Sequence, residues 1–205
     1  MEIKKLIEEK YNQSLSYLED LNLQVHLGKE EAKQAFEQQK KEIGTWAQMM
    51  SDKIAASKEF TEEEIQKARV ELEELRLQVA LGKAETKEAI EEQRKAITQK
   101  LNRVHGQLEH LYQKSSNGFQ RLADEISDDL TRFQTQFDLF RLQFHLGKEE
   151  LEEQWKEEKH KFLSEMEGLK KRFENEKEET AEKWDHFSKN VKSSWHHLKK
   201  AFSSN

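Results

Sequence analysis

The sequence predicts an all-α protein: an elongated antiparallel three-helix bundle or coiled coil, built on an internal repeat and followed by a C-terminal amphipathic helix. Three observations predict this fold. The chain has no Pro, only seven Gly and 37% charged residues, a composition typical of long helices. Its apolar residues recur at intervals of three and four, the spacing of one helix face. A nine-residue string, identical at five positions, also occurs three times.

The repeated string occupies residues 21–29, 75–83 and 140–148, and every copy ends in Leu-Gly-Lys. The offsets between copies differ by eleven residues, about three turns of helix, so equivalent residues keep the same face. The three glycines, Gly28, Gly82 and Gly147, are expected on the bundle face. There the missing side chain would let helices approach closely or would permit a kink. Since alternate residues of the string are apolar, a short strand is an alternative interpretation.

Residues 1–173 are predicted to form the bundle. In the first helix the apolar residues are separated by threes, fours and their sums, so they form one continuous face. Some of them recur at eleven, as do Leu21, Ala32 and Ile43, which favours a straight helix. The three predicted helices span about residues 2–57, 61–114 and 119–173.

The ends of these helices carry local signals. Thr61 and Glu64 match a capping box, in which each side chain accepts a hydrogen bond from the other residue's backbone amide. The polar run 115–118 ends in Gly and favours a turn. Residues 174–183 have Ala181 as their single apolar residue and are predicted to be a polar linker or a solvated helix. The sequence leaves open whether the chain then continues as a rod or folds back as a fourth helix.

Each copy of the string also places two leucines at least about 160° around the helix axis from the bundle face. If the copies lie side by side, these leucines form an apolar belt on the outside of the bundle, and exposed apolar patches usually mark interfaces. Self-association through the belt and burial by irregular packing are the two main interpretations. The interface candidates are Leu23, Leu27, Leu77, Leu81, Leu142 and Leu146.

Residues 184–205 are predicted to be a basic amphipathic segment, with aromatic residues on one face and no acid between His186 and Phe202. A helix of this kind lies in a lipid interface, docks on an acidic protein partner, or packs as an ordinary terminal helix. The tail-binding candidates are Trp184, Phe187, Lys189, Val191, Lys192, Trp195, Leu198, Lys199, Lys200 and Phe202.

Several function classes are disfavoured. The chain has no Cys, which excludes thiol chemistry, and no run approaches the roughly 18 apolar residues of a membrane span. The formal charge of −6 argues against nucleic-acid binding. Nucleophile elbow, phosphate-loop, dinucleotide and zinc patterns are not found. We therefore expect no enzymatic activity, no cofactor or metal and no small-molecule substrate, in a protein that is cytoplasmic or peripheral on a membrane or granule surface.

Long amphipathic helices with an eleven-residue period broadly resemble exchangeable apolipoproteins and granule-coating proteins, whereas antiparallel three-helix rods broadly resemble spectrin repeats. Both resemblances rest on pattern alone and carry over no residue role. The sequence predicts a structural or scaffold protein that forms a homo-oligomer or binds a protein partner. The alternative is a coat on a membrane or lipid surface, anchored by residues 184–205.

Overall fold

The computed structural model describes residues 3–113, 117–146, 148–175 and 180–203. These residues form seven α-helices, and no strand occurs among them, so the all-α prediction is confirmed and the strand interpretation is wrong. The helices are α1 Ile3–Val25, α2 Lys29–Ala55, α3 Glu62–Val79, α4 Lys87–Gln113, α5 Asn117–His145, α6 Lys148–Asn175 and α7 Ala181–Ser203.

The repeated string interrupts the helices. The breaks between α1 and α2, α3 and α4, and α5 and α6 fall within a copy of the string or directly after it. The prediction of uninterrupted helices at 2–57, 61–114 and 119–173 is therefore wrong. Gly28 and Gly82 lie outside the helices and are exposed, and a Cβ at Gly82 would meet no atom within 4 Å. Gly82 therefore does not bring helices into close contact, and Gly147 lies outside the described residues.

The chain divides into two units. This division differs from the prediction, in which residues 1–173 form one bundle and the tail is separate. Unit 1 comprises Met1–Gly28 and Asp138–Asn205, and unit 2 comprises Lys29–Phe137. The chain passes from one unit to the other at the first copy of the string and again within α5. The predicted turn at 115–118 coincides with the start of α5, although Ser115 and Ser116 are outside the described residues.

In unit 1, the helices α1, α6 and α7 pack against one another. Their shared core contains the rings of Phe162 and Trp195, whose centroids lie 4.6 Å apart. Leu139 and Leu142 from the last turns of α5 complete this core. The predicted polar linker is short, because α6 continues to Asn175 and α7 begins at Ala181. The chain thus folds back as an additional helix instead of continuing as a rod.

In unit 2, α3 packs against both α2 and α4. Helix α2 also meets the middle of α5, where the rings of Trp46 and Phe133 lie 5.8 Å apart. The indole Nε1 of Trp46 also donates a hydrogen bond of 3.1 Å to Asp129. An ion pair between Glu74 and Lys100 joins α3 to α4. The packing of α2 directly against α3 forms the site described below.

The helix faces were well predicted by the apolar spacing. Leu21, Phe36, Ile43 and Ile54 are all fully buried, as are their counterparts on the later helices. Burying each such side chain contributes about 1.5–3 kcal/mol. The predicted capping box at the start of α3 is confirmed: the amide of Glu64 donates to the Thr61 hydroxyl over 3.3 Å, and the Thr61 amide donates to the Glu64 carboxylate over 3.0 Å.

Candidate interaction site

Large apolar side chains are exposed at a few positions of the described chain. Leu23 is 67% exposed, Leu77 63%, Leu81 50%, and Met49 and Val70 45% each. Leu23 belongs to unit 1 and the other four to unit 2. Met49 and Val70 were not among the predicted candidates, although both lie off the buried stripe of their helix, a signal that the sequence contains. Exposed apolar clusters mark interaction sites more often than isolated residues do.

The six predicted belt leucines divide into three groups. Leu23, Leu77 and Leu81 are exposed as predicted. Leu27 and Leu146 are half-buried, and Leu146 packs against the core of unit 1. Leu142 is only 2% exposed, so its prediction as a surface residue is wrong. The position held by Leu23, Leu77 and Leu142 is therefore exposed in the first two copies of the string and buried in the third.

The burial of Leu142 follows from where α5 ends. Its last turns pack within unit 1, where Leu139 and Leu142, one turn apart, both enter the core. Next to Leu142, the side-chain amide of Gln143 donates a hydrogen bond to the backbone carbonyl of Gln24 in α1. The third copy is thus held against the first by a contact that the repeat pattern alone does not encode.

The exposed residues of unit 2 include two that line a groove between α2 and α3. The groove has a volume of about 830 Å³, and Met49 from α2 and Leu77 from α3 both line it. Gly44 and Val79 also line it, at a point where the two helices approach closely: a Cβ at Gly44 would lie 3.4 Å from a methyl carbon of Val79. This apolar, open groove is the strongest candidate for a functional site.

A buried lysine fixes one end of the groove. Lys40 is 2% exposed, and its Nζ donates hydrogen bonds to the backbone carbonyls of Leu81, at 2.9 Å, and Gly82, at 3.2 Å. It also donates to the side-chain oxygen of Gln93 over 2.8 Å and forms an ion pair with Glu37 at 3.1 Å. Leu81 and Gly82 follow the end of α3, so their carbonyls are not bonded within a helix, and Lys40 supplies a donor to both.

Two further side chains complete this arrangement around the second copy of the string. The amide of Gln93 donates to the carbonyl of Gly82 over 2.8 Å, and a carboxylate oxygen of Glu37 accepts from the backbone amide of Ala84 over 3.0 Å. Lys40 and Glu37 come from α2, and Gln93 from α4. Local spacing does not indicate this network, because Lys40 and Glu37 bond to residues more than forty positions further along the chain.

The charges around the groove are unevenly balanced. Glu73 and Arg76 on α3 pair with each other at 2.6 Å, so their charges offset. On α2, Asp52 accepts a hydrogen bond of 2.8 Å from the neutral amide of Gln48. Lys41 and Lys53 also line the groove and are exposed, and in the described part of the chain neither forms an ion pair. The exposed rim therefore carries an excess of positive charge.

The C-terminal segment packs within unit 1. Its predicted apolar face is buried: Phe187, Val191 and Phe202 are fully buried, Trp195 is 4% and Leu198 2% exposed. Trp184 is half-buried against the same core. The segment is thus a packed terminal helix, one of the three interpretations that the sequence left open, and its apolar face already has partners.

The lysines of α7 lie around this packed face. Lys189 and Lys200 are exposed, whereas Lys192 and Lys199 are half-buried. Burial lowers the pKa of Lys199, and the nearby carboxylate of Asp138 opposes this effect. Backbone carbonyls near the end of α7 accept hydrogen bonds from side chains of α5 and α6: Arg141 donates to Phe202 over 2.7 Å, and Gln154 to Ala201 over 3.0 Å.

The described residues, 3–113, 117–146, 148–175 and 180–203, carry many Asp and Glu side chains and several His. No group of three or more metal-ligating side chains is brought together in these ranges. The helices in them also lack the length and apolarity needed to cross a bilayer. Comparison with protein-family models, curated proteins and solved structures gave no match.

Proposed function

We propose that this protein is a non-enzymatic structural or scaffold protein that binds another protein chain through exposed apolar helix faces. The chain bound is either a further copy of itself or a different protein. The observation that carries the proposal is the pair formed by Met49 and Leu77, which are both largely exposed and line one groove between α2 and α3. Burying an apolar side chain of this size is favourable by about 1.5–3 kcal/mol relative to leaving it in water, and a bound partner would provide that burial.

The form of the groove supports a helical partner. Two helices lying side by side form a groove into which the apolar face of a third helix fits. This is a common mode of protein recognition. The groove does not depend on a loop, since α2 and α3 are both longer than four turns. Lys40 holds the end of α3 in place, so the surface is preformed, which reduces the entropy lost on binding.

The alternative function, a coat on a membrane or lipid surface, receives less support. It requires the apolar face of α7 to contact lipid, and that face is buried against α1 and α6. Releasing α7 would expose Phe187, Val191, Trp195, Leu198 and Phe202 together. The free energy of that exposure, about 1.5–3 kcal/mol for each side chain, has to be regained from lipid before binding becomes favourable.

The proposal is tested by light scattering and by titration with amphipathic helical peptides. Light scattering measures self-association, and the titration measures binding of a different chain. The variant M49E together with L77E is expected to abolish whichever association the wild type shows. Leu23 occupies the same repeat position as Leu77 and is equally exposed, so L23E is the matched control and should leave association intact. A wild type that stays monomeric and binds no peptide would contradict the proposal.

A further inference from the structure

The groove is long enough to hold a short helix. On α2 the lining residues Lys41, Thr45, Met49 and Asp52 follow one another at intervals of three and four, so they form a single stripe. From Lys41 to Lys53 this stripe is about 18 Å long, at 1.5 Å per residue. A partner helix of roughly twelve residues, just over three turns, would span it.

The charged residues that line the groove select among partners. Lys41 and Lys53 mark the two ends of the stripe, both are exposed, and in the described chain neither has an ion-pair partner. The charge of Glu73 is offset by Arg76 within the same helix. Asp52 is exposed beside Lys53 and bonds to the neutral amide of Gln48, so two lysines face one carboxylate and the excess is one positive charge. Acidic side chains flanking the apolar face of an incoming helix would therefore meet net complementary charge, strongest at Lys41, whereas basic ones would meet net repulsion.

The same charges disfavour a second copy of this chain as the occupant. A symmetric dimer places identical surfaces against each other. The groove of each copy would then face another groove that carries the same excess of lysine. Like charges juxtaposed at an interface oppose association. A helix of a different protein, with acidic residues beside its apolar face, avoids this repulsion.

Resting on the proposed function, we infer that the groove between α2 and α3 binds an amphipathic helix of a different protein. The apolar face of this helix packs on Met49 and Leu77, and its acidic flanks pair with Lys41 and Lys53. The alkyl stems of both lysines extend the apolar surface while their ammonium groups stay in water. Apolar contact contributes most of the affinity, and the lysines determine which helices are accepted.

Two designed peptides test this inference against the full-length protein. Both carry the same apolar face at helical spacing, and they differ only in flanking residues, which are Glu in one and Lys in the other. Binding is measured by fluorescence anisotropy of a labelled peptide at low and at high salt. The Glu peptide is expected to bind roughly tenfold more tightly or better, equivalent to about 1.4 kcal/mol. Salt should reduce that preference, because exposed charges are screened.

Three protein variants locate the binding. The charge reversal K41E with K53E should invert the preference between the two peptides, while Met49 and Leu77 remain in place to contact the apolar face of either. The variant M49E with L77E should weaken both peptides at least tenfold. The control L23E, which changes the equivalent residue of the first copy, should bind as the wild type does. Circular dichroism of each variant establishes that its helices are intact.

The outcomes separate this inference from the proposed function. If the Lys peptide binds as tightly as the Glu peptide or more tightly, the inference is overturned. If M49E with L77E then abolishes binding of the Lys peptide, the proposed function is still supported. Binding of the Glu peptide that survives M49E with L77E would also overturn the inference, because charge alone would then explain it. Self-association that M49E with L77E abolishes would identify a second copy as the occupant. Absence of any association would contradict both proposals.

Discussion

The ammonium group of Lys40 in α2 donates a 2.9 Å hydrogen bond to the backbone carbonyl of Leu81, directly beyond the end of α3. Leu81 and Gly82 belong to the second copy of the repeated string, and Lys40 bonds to both carbonyls. The buried lysine thus stabilises the position where the second predicted helix is interrupted. It also holds the end of α3 beside α2, and so it defines one end of the groove.

Replacing Lys40 by Met is expected to destabilise the protein by about 3 kcal/mol. The substitution keeps the length of the side chain but leaves Glu37 and the two carbonyls without the charged donor, and breaking a buried pair in this way costs about 3–5 kcal/mol. The neighbouring Lys41 is exposed, so Lys41→Met is the matched control and should change the stability by less than about 0.5 kcal/mol. Thermal unfolding followed by circular dichroism measures both, and equal melting temperatures would refute the role given to Lys40.

The third copy of the string should respond to substitution differently from the second. Leu142 and Leu77 occupy the same repeat position, but only Leu77 is exposed. Leu142→Glu buries a carboxylate without a partner and is expected to cost more than about 3 kcal/mol. Leu77→Glu should leave the melting temperature nearly unchanged while it weakens binding at the groove. If both variants unfold at the wild-type temperature, the third copy does not pack as described.

Truncating an apolar side chain of α7 is expected to destabilise unit 1. Leu198 is 2% exposed in the core of that unit, and Leu198→Ala should cost about 2–5 kcal/mol. Lys189 lies on the exposed side of the same helix, so Lys189→Ala provides the control and should have little effect. Vesicle cosedimentation completes the test. A Leu198→Ala variant of unchanged stability that no longer sediments with vesicles would show that this face contacts lipid instead of protein.

The sequence predicted the helices and their buried faces because both depend on local spacing. Thr61 and Glu64 were recognisable as a cap since the capping box is formed by residues three apart. The apolar spacing of three and four continues through the repeated strings, so residues such as Val25 and Phe36 indicate the same face whether or not the helix is interrupted between them. Spacing alone therefore could not locate the breaks.

The candidate site was predicted only in part. Leu77 and Leu81 were identified by their position opposite the buried stripe, and their exposure depends mainly on that position. Leu142 was mispredicted because its environment is set by a contact between α5 and α1, which are far apart in the chain. Lys40 resembles any other lysine of a charged helix in the sequence. Its burial results from the packing of α2 against the loop between α3 and α4, which only the folded structure reveals.

The most direct test measures the distance between α3 and α4 on either side of the second copy of the string. The natural chain has no Cys, so Glu73→Cys with Gln99→Cys allows spin labels at two exposed positions, each next to a member of the Glu74–Lys100 ion pair. In the folded structure the helices lie side by side, so electron paramagnetic resonance should give roughly 20 Å or less, given interhelix distances of 8–10 Å. A value near 39 Å, the length of 26 residues in one unbroken helix at about 1.5 Å each, would contradict the break at the repeated string and with it the groove.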